Sequence, residues 1–251
     1  MKKILLSFLA GISFLLTGCL ETIQEITLKG DGSGTISTTN DMSALLAMAK
    51  QMGGADEMEK AGDQKIDSMI SIADIIDSIP NLSQEEKQLA SSGSLNINMD
   101  LKGEKFITSL IFPFASPSEI ATLNSLSGKI MSETLKGQMQ GDSPGGMAGV
   151  PEPGSLDDYY NFGFANGEFK KELNKEKYAL AESDEYLNGL KQADAMGMTM
   201  KSTFIINLPA PAKEVEGKGV KLSEDKMKVT ISADINDFFT DPSLLEFRIK
   251  Y

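Results

Sequence analysis

The stretch from Ser94 to Phe114 constrains the fold more than any other. Leu95, Ile97, Met99 and Leu101 alternate with Asn96, Asn98 and Asp100. After the polar "KGEK" at 102–105, Phe106, Thr108, Leu110, Phe112 and Phe114 recur at every second position. Successive side chains on a strand point to opposite faces, so the pattern predicts an antiparallel hairpin with one buried side. "LIFPFA" at 110–115 is the densest apolar run of the later chain, and its strand is predicted to end at Pro113. A sheet with one greasy face needs a second layer over it. Ser116-Pro117-Ser118-Glu119 supplies one, since a capping box with proline at the first helical position predicts a helix over about 117–135.

The same grammar recurs. "TIQEITL" and "TISTTN" flank the glycine-rich "KGDGSG", predicting a hairpin. Asp31-Gly-Ser-Gly lacks the further acidic residues of a calcium loop and is read as a turn. Asp41 then caps an amphipathic helix carrying Met42, Leu45, Leu46, Ala49 and Met52 on one face, closed by Gly53-Gly54. A polar connection leads to a strand in "KIDSMISI", a short helix at 73–79 ending at Pro80, and a capping box from Ser83 to Glu86. Later, "YYNFGFANGEFKKEL" predicts a hairpin turning at Asn166-Gly167, and Ser183 caps a helix to about 195. "TFIINL", "KMKVTISADI" through Ile235, and "LEFRIKY" predict three more strands. The hairpin-then-helix order at 22–54, 94–135 and 159–196, with "LKG" at both 28–30 and 101–103, hints at duplication.

The expected fold class is therefore α+β, antiparallel β-hairpins with amphipathic helices packed on one face. Residues 19–136 form the first hairpin-helix region. Residues 137–157, rich in glycine and proline, read as a flexible linker or loop, and 158–251 form a second α+β region sharing the same sheet.

The N-terminus carries an address. Lys2 and Lys3 precede an apolar run from Ile4 to Leu16, too short for the roughly 20 residues that span a bilayer. Leu16-Thr17-Gly18-Cys19 resembles the lipobox of bacterial lipoproteins. The resemblance implies that residues 1–18 are removed as a signal peptide and that Cys19 becomes an acylated first residue, palmitate being among its chains. A plain secretory signal is the alternative, for which Ala-x-Ala before the cut is expected. Each buried methylene contributes about 0.8 kcal/mol, so the several chains of a lipoprotein hold it firmly where one would not. By the same resemblance, Leu20 in place of aspartate after the cysteine implies the outer membrane. "LETIQE", with no acidic cluster, implies its periplasmic face.

Without Lys2 and Lys3 the chain carries 22 basic and 36 acidic side chains, a net charge of −14, which repels nucleic acid and anionic headgroups. There is no histidine and no second cysteine. Disulfides, thiol nucleophiles, serine-histidine triads and ordinary zinc sites are excluded. Carboxylate pairs, a serine-lysine dyad and oxygen-ligated calcium remain.

Few residues suggest chemistry. Met196, Met198 and Met200 place thioethers at alternate positions, the soft ligands that select Cu(I), although packing explains them equally. Asp157 and Asp158 could form a carboxylate pair but read as the solvated edge of the linker. Asp67-Ser68-Met69 and Asp77-Ser78-Ile79 look like Bacteroidetes O-glycosylation triplets. Met42, Met48, Met52, Met131 and Met139 could adapt to a partner or fill the core.

The C-terminal stretch "TFIINLPAPAKEVEGKGVKLSEDKMKVTISADINDFFTDPSLLEFRIKY" resembles the ends of uncharacterised outer-membrane lipoproteins of the Bacteroidetes, which also begin with a lipobox, a "DGSG" hairpin and a Met-rich helix. It is also similar to lipoproteins of the LppM type, where a strand ending in Leu-Pro leads to V-x-G and another strand. Neither resemblance supplies catalytic residues or cofactors. No function carries over from either; the one-sided sheet and the methionine-bearing amphipathic helices are what point to a non-enzymatic binding or structural module, or a carrier of an apolar ligand, with a periplasmic protein or that ligand as partner.

Overall fold

The computed structural model describes residues 18–50, 64–139, 155–165, 167–195 and 197–251. Its content is mixed α+β, built on two sheets. The strands are β1 (Gly18–Leu28), β2 (Gly34–Asp41), β3 (Lys65–Ser71), β4 (Ser94–Asp100), β5 (Lys105–Phe114), β6 (Tyr160–Ala165), β7 (Glu168–Leu173), β8 (Met198–Asn207), β9 (Glu214–Glu216), β10 (Val220–Leu222), β11 (Lys228–Asp234) and β12 (Phe247–Lys250). An eight-stranded sheet runs β10-β11-β8-β1-β2-β5-β4-β3, and a four-stranded one runs β6-β7-β12-β9. Strands beyond residue 158 thus divide between the two.

Every neighbouring pair is antiparallel except β1 and β8, which run parallel from Gly18 opposite Met198 to Thr27 opposite Asn207. The hairpin read from the alternation forms in register, with Leu95 opposite Leu110, Ile97 opposite Thr108 and Met99 opposite Phe106. One face of the large sheet presents Ile26, Ile36, Leu95, Leu110, Phe112 and Val229, all buried. The opposite positions are more polar, with Thr39 and Ser109 sharing a 2.8 Å hydrogen bond, although Ile23, Ile107 and Ile111 also lie on that face.

The helices are α1 (Ser43–Ala49), α2 (Ile72–Ile75), α3 (Gln84–Ala90), α4 (Ile120–Met139), α5 (Lys175–Tyr178), α6 (Glu185–Ala195) and α7 (Ile235–Thr240). The longest, α4, packs on β2 and β5 and buries Ile120, Leu123, Leu126, Ile130 and Met131 at helical spacing. The small sheet joins the same core through its aromatic rings. Phe169 of β7 and Phe247 of β12 both pack on Phe204 of β8.

Several expectations need correction. Strand β5 continues past Pro113 to Phe114, because its pairing with β4 ends at Ile111 and Pro113 is opposed only by Thr35 of β2. The helix expected at 117 opens with a 3-10 turn at Pro117–Glu119, and α4 runs on to Met139, into the segment read as linker. The other end of that segment is also ordered: Ser155 forms a capping box over the 3-10 turn Leu156–Tyr159. Residues 140–154, Gly53-Gly54 and Asn166 lie outside the described residues. Ser183 sits in a 3-10 turn, and Asp184 caps α6 by accepting from the Leu187 N–H at 2.9 Å. Ile235, the last residue of an alternating run, begins α7, because Asp234 and Asp237 form a capping box that stops the strand.

The box at α3 forms as expected. Ser83 N–H donates to Glu86 Oε2 at 2.8 Å and Glu86 N–H to Ser83 Oγ at 3.2 Å, while Lys129 of α4 donates to Glu86 Oε1 at 2.8 Å. The Lys129 ammonium and the cap lower the Glu86 carboxyl from 4.5 to about 2. A carboxyl depressed in the fold stabilises it fully above its ordinary value and loses that contribution as pH falls from 4.5 towards about 2. Glu86→Gln keeps a capping side chain without the charge. Its urea midpoint should lie below wild type at neutral pH and converge with it in acid. A gap that stays constant down to the acid end would contradict this account.

Candidate functional site

The lipidation candidate, Cys19, is the second residue of β1, and its backbone is opposite Thr199 of β8. The same parallel register sets Met198 opposite Gly18 and Met200 opposite Leu20, so two members of the methionine triplet flank the cysteine position. Met198 is buried. Met200 packs against the core, and the Tyr186 hydroxyl donates to its sulfur at 3.9 Å. Met196 lies outside the described residues. Both described thioethers are engaged in packing.

The methionines elsewhere differ: Met69 on β3 is 74% exposed, and Met52 lies outside the described residues. Met131 is in the core, with the Thr108 hydroxyl donating to its sulfur at 3.7 Å, and Met42 is half-buried. Of the glycosylation triplets, Ser68 is half-buried on β3 at the edge of the large sheet. Ser78 is exposed and donates to the Ile75 carbonyl at 2.6 Å.

The most unusual chemistry lies where the sequence reading placed none. Asp157, read as solvated, is buried, and so is Lys171 on β7, whose side chain is only 1% exposed. Alternation along "EFKKEL" turns Phe169 and Lys171 inward, while Lys170 and Glu172 pair outside at 2.7 Å. The Lys171 ammonium donates to Asp157 Oδ1. It also lies 4.5 Å from the Tyr160 ring centre, 5.0 Å from Phe204 and 5.6 Å from Phe162, a cage of cation–π contacts. Burial and the Asp157 charge push the Tyr160 phenol above its ordinary range, and its hydroxyl donates to the Pro242 carbonyl at 2.8 Å. Asp158, beside this pair, is exposed and caps the Ser155 N–H at 3.2 Å. The two carboxylates are thus committed to different partners, Asp157 to Lys171 and Asp158 to the Ser155 N–H.

The polar line continues inward. Asn124 of α4 donates to Asp157 Oδ2 at 3.3 Å, and Gln24 of β1 donates to Asn124 Oδ1. Each amide turns its N–H toward the carboxylate, so the dipoles support the buried negative charge as the ammonium does. The far end is unsatisfied: Gln24 Oε1 and Thr38 Oγ1, on residues directly opposite across β1 and β2, have no partner. Buried polar atoms of this kind are satisfied by ordered water where space permits. Gln24, Asn124, Asp157 and Lys171 thus tie the large sheet, α4, the 155–159 turn and the small sheet into one unit.

An ammonium enclosed by a carboxylate and three rings is not presented to a substrate. A surface feature open to one is a groove of about 740 Å³ at the end of the sheet opposite Cys19, with Leu89 and Phe114 in its lining and Glu85, Gln88, Ser33 and Glu119 around them. Glu119 is committed to the Ala115 N–H at 2.9 Å. Among the described residues, no group of three or more histidine, cysteine or acidic side chains converges to hold a metal. No helix among the described residues is long and apolar enough to cross a membrane.

No protein-family model matches the chain, and no curated protein matches it significantly. Among solved structures, the folded domain of the Mycobacterium tuberculosis LppM protein, determined by NMR, bears a weak resemblance. The alignment covers 94% of this chain and 91% of that one, at 10% identity and a TM-score of 0.35.

Proposed function

We propose that this chain is a lipoprotein held in the outer membrane by acyl chains on Cys19, facing the periplasm, and that its folded part is a non-enzymatic binding or structural module. The reading rests on Leu16-Thr17-Gly18-Cys19 at the end of a charged-then-apolar leader. Strand β1 begins at Gly18, so removal of residues 1–18 takes only one terminal residue from the described fold. A non-catalytic role is supported by the enclosure of Lys171 and by the absence of histidine from the sequence. The open groove at Leu89 and Phe114, edged by carboxylates, suits a segment of a periplasmic protein better than an apolar ligand. The packing of Met198 and Met200 disfavours the Cu(I) alternative.

Intact mass of the native protein extracted from membranes tests the anchor. The polypeptide should begin at Cys19 and carry added fatty-acyl mass, and Cys19→Ser should move it from the membrane fraction to the soluble one. A polypeptide that begins elsewhere, or carries no acyl mass, overturns the proposal.

A further inference from the structure

An anchor at the end of a long flexible leader leaves a domain free to tumble. This chain has no such leash: Cys19 already belongs to β1, opposite Thr199, and from Glu21 onward β1 is paired on its other side as well, with Asp41 of β2. We infer that the end of the eight-stranded sheet where β1 begins rests on the bilayer surface, with the strands rising away from it. The inference builds on the acylation of Cys19 proposed above.

Strand register decides what else lies at that level. Met200 is opposite Leu20, Asp234 opposite Lys201, and Ile107 opposite Asp41. The β4–β5 turn at 101–104 therefore stands beside the anchor. The β1–β2 turn around Lys29 is ten residues up the strand, about 30 Å away at roughly 3.3 Å per residue.

The chemistry of this end suits a headgroup layer. Mature net charge is −14, which an anionic surface repels. Here, however, three carboxylates are paired with lysines, in Lys201–Glu21 at 3.0 Å, Lys65–Asp100 at 2.8 Å and Lys50–Glu104 at 2.5 Å, while Asp41 and Asp234 accept from the Ser43 and Asp237 N–H groups. Helix α1, which packs against β1 and β5 at this end, has no charged residue among its seven. The groove lined by Leu89 and Phe114 is at the opposite end, held clear of the lipid where a soluble partner can reach it.

Acylation occupies the sole cysteine, so a cysteine introduced elsewhere takes a single label. Lys102→Cys and Lys29→Cys, both at exposed turns, are made in the full chain, labelled with a fluorophore and reconstituted into phosphatidylcholine vesicles bearing a headgroup nitroxide quencher. The label at 102 should lose most of its emission and that at 29 almost none. Equal quenching at the two sites in protein that carries acyl mass and floats with vesicles overturns this orientation and leaves the anchor intact. Protein without acyl mass that fails to float overturns the anchor, and the orientation with it.

Discussion

Lys171→Ala should destabilise the fold by about 3–5 kcal/mol, because it leaves the Asp157 carboxylate buried with no counter-ion. The remaining partner of that carboxylate is the Asn124 amide at 3.3 Å, and with Asp157 only 9% exposed there is little solvent to replace the ammonium. The cavity left among Tyr160, Phe162 and Phe204 adds to the cost. Removing the charge from both partners separates these effects. In Lys171→Met with Asp157→Asn, an apolar stem fills the cage and an amide still accepts from Asn124. The double variant should therefore recover most of the loss. The measurement is the urea midpoint, at constant slope, of wild type, Lys171→Ala, and the cycle's Lys171→Met, Asp157→Asn and their double. A single variant that costs under about 1 kcal/mol, the range of an exposed pair, would show that the ammonium is solvated.

Phe169→Ala should cost a comparable 3–5 kcal/mol. Phe169 is fully buried on β7, and four rings surround it: Phe164 stacked at 4.0 Å, Phe247 edge-on at 5.0 Å, Phe162 at 6.2 Å and Phe204 at 6.5 Å. Three of these belong to the small sheet and the fourth to the large one, so the ring joins the two layers. The loss should fall unevenly. Amide exchange ought to accelerate first in β6, β7 and β12, which meet the core through this cluster, and later in β2 and β5. Uniform acceleration across both sheets would mean that the small sheet has no separate cooperativity. Phe169→Leu, which retains more volume, should lose markedly less.

How much of this the sequence discloses depends on how local the cause is. The hairpin of β4 and β5 is legible because period-two alternation and a polar turn lie within one short stretch. The box at Ser83 and Glu86 is equally legible, since its two hydrogen bonds join neighbours three residues apart. The end of β11 was legible too: Asp234 and Asp237 carry capping-box spacing, but the apolar alternation through Ile235 masked it. Lys171 is a mixed case. Its place between Phe169 and Leu173 in the alternation marks it as inward-facing, whereas its partner Asp157 lies at the edge of a segment whose glycine and proline content signals solvent. The link from Gln24 to Asn124 joins residues 100 apart and that from Asn124 to Asp157 residues 33 apart, and no local pattern announces either. Nor does any pattern announce the parallel pairing of β1 with β8, because β1 reads as one arm of an antiparallel hairpin and "TFIINL" as a strand with no partner indicated.

That pairing bears on the order of assembly. Glu21 and Lys201, joined across β1 and β8, are 180 residues apart, so one flank of the fourth strand of the large sheet stays open until most of the polypeptide has been delivered. Closing so long a loop is entropically slow, and an unfilled strand edge meanwhile invites pairing with the wrong chain. Maturation of this protein should therefore be limited by the arrival of its last quarter, and truncations within β8 should aggregate rather than yield a smaller stable body.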